Sequence, residues 1–223
     1  MTRHRNWLRQ EPKDFKGKSL RNKKFAKRYL FDADFRELDL NGALFDEAML
    51  EGARFDDSSL IQASIRNAHL AHTKFRNVDL VNADLSYDRD FPRKKNSCFY
   101  ADFSYSTMDN ANFSRSPLTY ARFERATLVE ANFNRATMIA ADFTSSNMQN
   151  SDLRFANLSR AKLVGCDLRG ANLSFTNLTG ANLEGAIYDH TTLWRGTRYN
   201  QRTRWVDGKR QPPPLRDAST ELS

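Results

Sequence analysis

Cysteine and histidine, two side chains often used for nucleophilic, metal-binding and redox chemistry, are few in this 223-residue sequence. The candidates are two cysteines and four histidines: Cys98, Cys166, His4, His69, His72 and His190. None of them forms the short Cys/His spacings that a zinc site needs. The sequence also lacks a glycine-rich phosphate loop and a nucleophile elbow. It therefore predicts a protein that is not an enzyme, with no catalytic residue, no metal site and no cofactor.

The cysteine content and the lack of long apolar segments bear on the compartment. Two cysteines in this length indicate no disulfide framework, and a reducing compartment is the default for such a protein. The sequence has no run of about 18 apolar residues that could span a membrane. Its first residues are basic but lack the apolar core of a secretory signal. An organelle transit peptide, which is also Arg-rich, is an alternative, but Glu11 and Asp14 and the lack of an amphipathic stretch count against it. We therefore expect a cytoplasmic protein.

The elements that must position any functional residue follow a five-residue period. A large apolar residue, called the centre here, occurs at every fifth position from Phe15 to Leu85 and again from Cys98 to Leu183. Alanine usually stands two positions before the centre, and Asp or Asn one position before it. Glycines within the repeats all stand two positions after a centre, which predicts a corner with positive φ. A period of five fits neither a helix nor a flat strand, and indicates short extended steps separated by turns.

Several of these five-residue units carry a recognisable signature. The segments "ANFSR", "ANFNR", "ADFTS", "ANLSR", "ANLSF" and "ANLEG" resemble the A(D/N)LXX motif of the pentapeptide-repeat proteins. The resemblance extends over about residues 13–185. It implies an all-β fold, a right-handed quadrilateral β-helix with four pentapeptides per coil and about eight coils.

The pattern stops once, within "SYDRDFPRKKNS" at residues 86–97. Phenylalanine centres on each side of the break are separated by multiples of ten residues, which places them on two opposite sides of a four-sided coil. Removing eight residues keeps that parity across the break, whereas removing three does not. The sequence thus predicts one continuous solenoid with an eight-residue loop. Because Pro92 cannot donate to a ladder and three successive cations follow it, the loop should point outward.

The two ends of the chain are expected to differ from the repeats. The net charge of +8 comes from the ends: residues 1–30 carry +9 and residues 191–223 carry +4, whereas residues 31–60 carry −7 and residues 61–190 carry +2. We assign residues 1–12 to a basic N-terminal segment, 13–193 to the β-helix, and 194–223 to a C-terminal cap followed by a disordered basic tail. In the first coil, cations replace the inward alanine and should tilt out of the open end of the core: Lys13, Lys18, Lys23 and Arg28.

Two surface features are candidates for an interaction site. The first is the loop, which consists of Asp88, Arg89, Asp90, Phe91, Pro92, Arg93, Lys94 and Lys95. The second is a column of corner residues twenty apart, which consists of Arg115, Arg135, Phe155 and Phe175. Tyr100 and Tyr120 form another such column. Exposed aromatic residues beside arginine are typical of protein contact sites, although a corner aromatic could also simply pack on its neighbour.

The leading hypothesis is therefore a rigid protein–protein interaction or scaffold module with an unidentified protein partner. One alternative, implied by the family resemblance, is a DNA-mimicking protein that protects DNA gyrase or another topoisomerase, but residues 31–190 carry a net charge of only −5. A third hypothesis is electrostatic binding of nucleic acid or an anionic membrane through the basic ends and the loop. The sequence leaves the oligomeric state open.

Overall fold

The chain winds into a right-handed quadrilateral β-helix. The structure is a computed structural model, and it describes residues 15, 18–88 and 98–206. No described segment is a helix long and apolar enough to cross a membrane. From residue 24 onward, each fully described pentapeptide contributes one residue, called the rung here, that forms a parallel bridge with a residue one coil away. Within the described ranges, extended structure is therefore limited to single-residue bridges separated by turns.

The rungs form four columns, which define the four faces of the rod. Face 1 consists of Lys24, Leu44, Ser64, Asp84, Asn112, Asn132, Asp152, Asn172 and Leu193. Face 2 consists of Tyr29, Met49, His69, Pro117, Thr137, Asn157, Asn177 and Arg198. Face 3 consists of Asp34, Arg54, Lys74, Asp102, Arg122, Asp142, Lys162, Asn182 and Arg204. Face 4 consists of Asp39, Ser59, Asp79, Thr107, Thr127, Asn147, Asp167 and Ile187.

One repeat, "ADFTS", shows why this motif forms a step and a corner. The rung Asp142 accepts a hydrogen bond at Oδ1 from the backbone N–H of Thr144, 3.1 Å away. The N–H of Ser146 donates to the carbonyl of the centre Phe143 (3.0 Å) and closes a turn, whose corner residue Ser145 has φ of 59°. Asp or Asn is favoured before the centre because its side chain caps the turn locally. The predicted positive φ recurs at the corners, including six of the repeat glycines.

Phenylalanine centres stack along two opposite faces, as their parity predicts. On face 3, Phe123 stacks on Phe103 at 5.0 Å and on Phe143 at 4.7 Å between ring centroids. It also meets Phe113 and Phe133, which stack on the opposite face, edge to face at 5.7 and 5.8 Å. All five rings are fully buried. Burial of each such side chain contributes roughly 1.5–3 kcal/mol, so the stacked rings account for much of the core's cohesion.

The solenoid is continuous across the interruption. Bridges elsewhere join residues twenty apart, but Lys74 pairs with Asp102, an offset of 28, and the two following rungs keep this offset. Phe75 stacks on Phe103 at 4.9 Å with an angle of 6° between the rings. Eight residues are therefore inserted without a change of face, which confirms the predicted count.

The ladder extends beyond the last recognisable motif. Near the C-terminus the bridge offset grows to 21 between Asn172 and Leu193 and to 22 between Asn182 and Arg204. Trp194 and Trp205 take the places of centres, are buried, and meet edge to face at 5.7 Å. Residues 194–206 thus continue the coil and close its core at the same time. Residues 207–223, which include the predicted tail, lie outside the described residues.

The first coil exposes its cations. Lys18, Lys23 and Arg28 occupy the position that alanine fills in later coils, and all three are exposed. Phe15 and Phe25 pack on the core but are only partly buried. A cation at this position thus points out of the open end of the core. Lys13 and the basic segment 1–12 lie outside the described residues.

Candidate functional site

The two cysteine thiols lie in the interior of the rod. Burial raises the pKa of both Cys98 and Cys166 to about 12. The Cys98 Sγ lies 3.5 Å from the hydroxyl of Tyr87, and the Cys166 Sγ lies 3.3 Å from that of Ser146. A thiol so far from ionisation is a poor nucleophile and metal ligand. Within the described ranges, no group of three or more His, Cys, Asp and Glu residues could hold a metal ion.

The carboxylates at the rungs accept hydrogen bonds from neighbouring arginine side chains and from turn N–H groups. The hydrogen bond from Arg36 lowers the pKa of Asp34 to about 2, and Arg169 likewise lowers the pKa of Asp167. The pKa also lies below its ordinary value at Asp39, Asp88, Asp142, Asp152 and Asp189. A general acid at neutral pH needs a raised pKa. These groups are therefore suited to capping turns and holding arginine side chains, not to proton transfer.

Asp88, the first residue of the predicted loop, is tied to the coil below. Its N–H donates to Asn67 Oδ1 (2.9 Å), and its carboxylate accepts from Asn67 Nδ2 (2.8 Å) and Arg66 Nη2 (2.9 Å). The hydrogen bond from Asn67, followed by that from Arg66, lowers the pKa of Asp88. Of the predicted interaction loop, this residue thus anchors the base. Residues 89–95 lie outside the described residues.

Tyr87 also holds the start of the loop, and the sequence did not reveal this. Its ring is buried, and its hydroxyl donates to the carbonyl of Ala68. It stands where other repeats have an exposed corner, but it is not among the residues with positive φ. The chain leaves the regular path here. Its N–H still bonds to the carbonyl of Ser114 at 3.0 Å, so the loop base lies directly below the corner of Arg115.

The predicted column of arginine and phenylalanine forms on the edge between faces 1 and 2, called edge 1 here. The guanidinium of Arg135 lies 4.9 Å from the ring centroid of Phe155. Phe155 stacks on Phe175 at 5.1 Å, and both rings remain nearly half exposed. The structure thereby places the predicted loop and the predicted column on the same edge. The loop base lies lowest on edge 1, and Arg115, Arg135, Phe155 and Phe175 follow above it, one in each coil.

A second aromatic ladder lies on the edge between faces 2 and 3, called edge 2. Tyr100 stacks on Tyr120 at 5.1 Å, and His72 stacks on Tyr100 from below at 5.2 Å. Phe99, beside them on face 2, meets Tyr120 edge to face at 6.0 Å. The sequence interpretation paired the two tyrosines but missed His72. Subtracting the eight inserted residues places it in the same column.

Face 2 between these edges is uncharged over much of its length. From His69 to Thr179, the described residues at its rungs and directly after its centres include no Asp, Glu, Lys or Arg. They are His69, Ala71, Phe99, Pro117, Thr119, Thr137, Ile139, Asn157, Ser159, Asn177 and Thr179. We call this surface the neutral face. It is bounded by the aromatic and arginine residues of edges 1 and 2, and the loop leaves from its lower part.

Face 3 has a different character. A shallow depression of about 770 Å³ runs along it and the neighbouring edge, and it is lined mainly by side chains of both signs. Asp102 lies 3.9 Å from both Arg76 and Arg122, and the ring of Tyr105 lies between Arg76 and Arg125 at 5.7 and 5.8 Å. Because these groups already satisfy one another, the depression offers no concentrated charge to a ligand.

Comparison with known proteins agrees with this architecture. The family model "Pentapeptide repeats" matches in eight copies, over residues 29–67, 53–87, 97–135, 117–154 and 151–187. No curated protein matches the chain.

Three solved structures are similar to parts of this chain. The pentapeptide repeat protein Rfr23 of the cyanobacterium Cyanothece is 20% identical, with 64% of this chain and 90% of that chain covered and a TM-score of 0.40. HetL, involved in heterocyst differentiation regulation in Nostoc, is 21% identical over 84% and 91%, with a TM-score of 0.30. QnrB1, a plasmid-mediated fluoroquinolone resistance protein, is 19% identical over 81% and 84%, with a TM-score of 0.36.

Proposed function

Because the chain belongs to the pentapeptide-repeat family, we propose that it is a non-enzymatic scaffold that binds a protein partner through the neutral face and its two edges. The rod is rigid, since stacked centres fill its interior and every coil is bonded to the next. A rigid surface loses little conformational entropy on binding. We place this activity in the cytoplasm, because two buried cysteines without a disulfide suit a reducing compartment.

One observation carries the proposal: both edges of the neutral face carry large exposed aromatic residues. Tyr100, Tyr120, Phe155 and Phe175 are each between 43% and 51% exposed. Large aromatic side chains held in fixed orientations contribute most to interface energies, and charged residues are depleted at interface cores. The neutral face has both properties, whereas face 3 is occupied by its own ion pairs.

Affinity capture from native lysate tests the proposal with matched variants. One variant lacks residues 89–95 and keeps the Asp88 anchor; another carries Phe155→Ser and Phe175→Ser. Tyr105→Ser removes an equally exposed aromatic residue from a different edge and serves as the control. We expect a partner that the wild type and the control retain and that the Phe155/Phe175 variant loses. Capture that is equal for all variants would contradict the proposal.

Topoisomerase protection by DNA mimicry takes second place, because the surface charge does not favour it. Double-stranded DNA carries about one negative charge per 1.7 Å, yet residues 98–188 hold eight acidic and eight basic side chains. Gyrase supercoiling and quinolone-stabilised cleavage assays with purified protein test this alternative. Electrostatic binding through the basic ends ranks third, and titration of labelled duplex at two salt concentrations tests it.

A further inference from the structure

The aromatic residues on the two edges of the neutral face present ring edges to solvent. Tyr100 is stacked on both of its faces by the rings one coil below and one coil above, at centroid distances of 5.2 and 5.1 Å. Phe155 is covered by the guanidinium of Arg135 at 4.9 Å and by the ring of Phe175 at 5.1 Å. Both Tyr100 and Phe155 are nevertheless about half exposed. Because the edge of an aromatic ring carries partial positive charge and its face partial negative charge, the two ladders offer electropositive rims.

Three arginines on the same two edges add full positive charges. None of them makes an ion pair within the described part of the chain: Arg115, Arg135 and Arg160. Several arginines elsewhere on the rod are held by a rung carboxylate, as in the pairs of Arg154 with Asp152 at 2.7 Å and of Arg169 with Asp167 at 2.6 Å. The three edge arginines are therefore available to a carboxylate from outside the chain.

The rungs explain this difference. The three edge arginines end repeats whose rung is asparagine, whereas the two paired arginines follow an aspartate rung. Asparagine caps the turn equally, because Asn157 Oδ1 accepts the N–H of Ser159 at 3.1 Å, as Asp142 Oδ1 accepts that of Thr144. No described rung of face 2 is acidic, whereas each of the other three faces has at least two aspartate rungs. The fold needs the cap but not the missing charge, so the fold alone does not account for a face without carboxylates.

Carboxylates on the adjoining faces are already occupied. Asp152 on face 1 is held by Arg154 at 2.7 Å, and Asp142 on face 3 is held by Lys162 at 3.0 Å. At the top of the neutral face the last rung is Arg198, which is exposed and makes no ion pair within the described ranges. Above the loop base, the positive charge on this side of the rod is therefore left for a binding partner to balance.

Resting on the function proposed above, we propose that the partner presents an extended segment rich in aspartate and glutamate to the upper part of the neutral face. Its carboxylates lie beside the edge arginines and the ring edges, and its uncharged atoms lie over the neutral face. From Tyr100 to Arg198 the surface rises roughly five coils, about 24 Å, which is the length of about seven extended residues. Charge complementarity of this kind selects the partner and speeds its association.

Single-stranded nucleic acid also carries negative charge, but two features disfavour it. Its bases bind proteins largely by stacking on free aromatic faces, and both faces of Tyr100 and of Phe155 are covered by neighbouring coils. Lower on the same side of the rod, Asp32 and Glu51 would repel a polyanion that followed the rod. A short acidic segment of a protein avoids these coils.

Two pairs of variants change one charge each, on or away from the proposed surface. Asn157→Asp adds a carboxylate to the neutral face, and Asn147→Asp adds one to the opposite face 4. Aspartate occurs at rungs throughout the rod and can accept the same turn N–H that each asparagine accepts. Arg160→Gln removes a positive charge from edge 2, and Arg125→Gln removes one from an exposed corner between faces 3 and 4. Thermal melting establishes that all four variants fold.

The experiment titrates peptides into nitrogen-15-labelled full-length protein and follows backbone amide signals by NMR. The probes are acetyl-Glu-Thr-Glu-Thr-Glu-Thr-Glu-amide, the two matched peptides with Gln or Lys in place of Glu, and a short oligothymidylate. The amides of Thr137 and Thr179 report the neutral face, and the amide of Thr127 reports face 4.

We expect the Glu peptide to shift the two neutral-face signals and not the face 4 signal. It should bind about threefold more weakly to Asn157→Asp and to Arg160→Gln, with both control variants unchanged. The Gln and Lys peptides should bind more weakly than the Glu peptide, and added salt should weaken the binding of the Glu peptide.

Four results would overturn the inference. They are the absence of a neutral-face shift with the Glu peptide, equal affinities for the two members of a variant pair, binding of the Lys peptide that matches that of the Glu peptide, and tighter binding of the oligothymidylate. The last would assign the surface to single-stranded nucleic acid. The lysate capture experiment is independent: a partner that the Phe155/Phe175 variant loses but Asn157→Asp and Arg160→Gln retain would support the proposed function and reject the acidic segment.

Discussion

Replacing phenylalanine by leucine within the face 3 stack should cost more stability where the ring packs against more aromatic neighbours. Phe123 has four ring neighbours, at centroid distances of 5.0, 4.7, 5.7 and 5.8 Å. Phe143, one coil further on, has only two: it stacks on Phe123 at 4.7 Å and meets Phe133 edge to face at 5.9 Å. Both side chains are fully buried, so the change in burial is nearly the same for the two substitutions.

The contrast between Phe123→Leu and Phe143→Leu therefore isolates the aromatic pairing. Aromatic pairs contribute about 0.5–1.5 kcal/mol each beyond area burial, so the two extra pairs of Phe123 give a difference of about 1–3 kcal/mol. In addition, the next centre above Phe143 in this column is already a leucine, Leu163, so a leucine at position 143 meets a side chain of its own kind. We expect Phe143→Leu to be the milder substitution for both reasons.

Urea unfolding followed by circular dichroism measures both free energies of unfolding, and equal m-values would show that the same surface is exposed in each variant. Near-ultraviolet and far-ultraviolet signals must change together, because repeat proteins can lose end coils separately. A destabilisation by Phe143→Leu that equals or exceeds that by Phe123→Leu would refute the argument that stacked rings, and not burial alone, hold the coils together.

Three further predictions concern the loop base, the upper edge and the interior. The lowered pKa of Asp88 means that its anchoring is complete above the ordinary carboxyl pKa of about 3.9 and is lost as the pH falls through the lowered value; the NMR signals of the Asn67 amide should report a midpoint below about 3.9, and an ordinary midpoint would disprove the anchor. Gly196→Ala should destabilise the rod by about 1 kcal/mol more than Gly180→Ala in thermal unfolding, because both have positive φ but only the first meets the Phe175 ring; equal destabilisation would show that the ring moves freely. The two buried thiols should react with a thiol reagent at pH of about 8 only after unfolding, and fast labelling of native protein would contradict their raised pKa values.

Much of the fold follows from local chemistry that each pentapeptide repeats. Four positions of the motif have the same roles in each coil: the centre, the small inward residue, the Asp or Asn before the centre, and the corner glycine. One motif therefore determines the course of the backbone around the coil. The parity of phenylalanine located the faces and counted the inserted residues, because a ring at the wrong face would break a stack such as Phe75 on Phe103. The end of the rod was less predictable, since Trp194 and Trp205 follow steps of six residues and not five.

The candidate surface was only partly predictable. Spacing of twenty residues placed Arg135, Phe155 and Phe175 in one column, and the structure adds their stacking distances. Sequence reasoning treated Asp88 as a free loop residue, whereas its carboxylate is held by Asn67 and Arg66. The bond to Asn67 joins residues 21 positions apart, and it exists because Tyr87 turns inward and leaves the regular corner.

The amino-acid sequence by itself determined a solenoid of five-residue steps with one eight-residue insertion, because the apolar residues keep their period and phenylalanine keeps its parity across the break. Its resemblance to the pentapeptide-repeat proteins implied the four sides. The tertiary structure alone decided how the side chains lean once the coils are stacked. Phe175, for example, lies toward Gly196, where an added β-carbon would come within 2.7 Å of the ring. Corner residues are exposed and not constrained by the core, so their contacts depend on which neighbour the coil above presents.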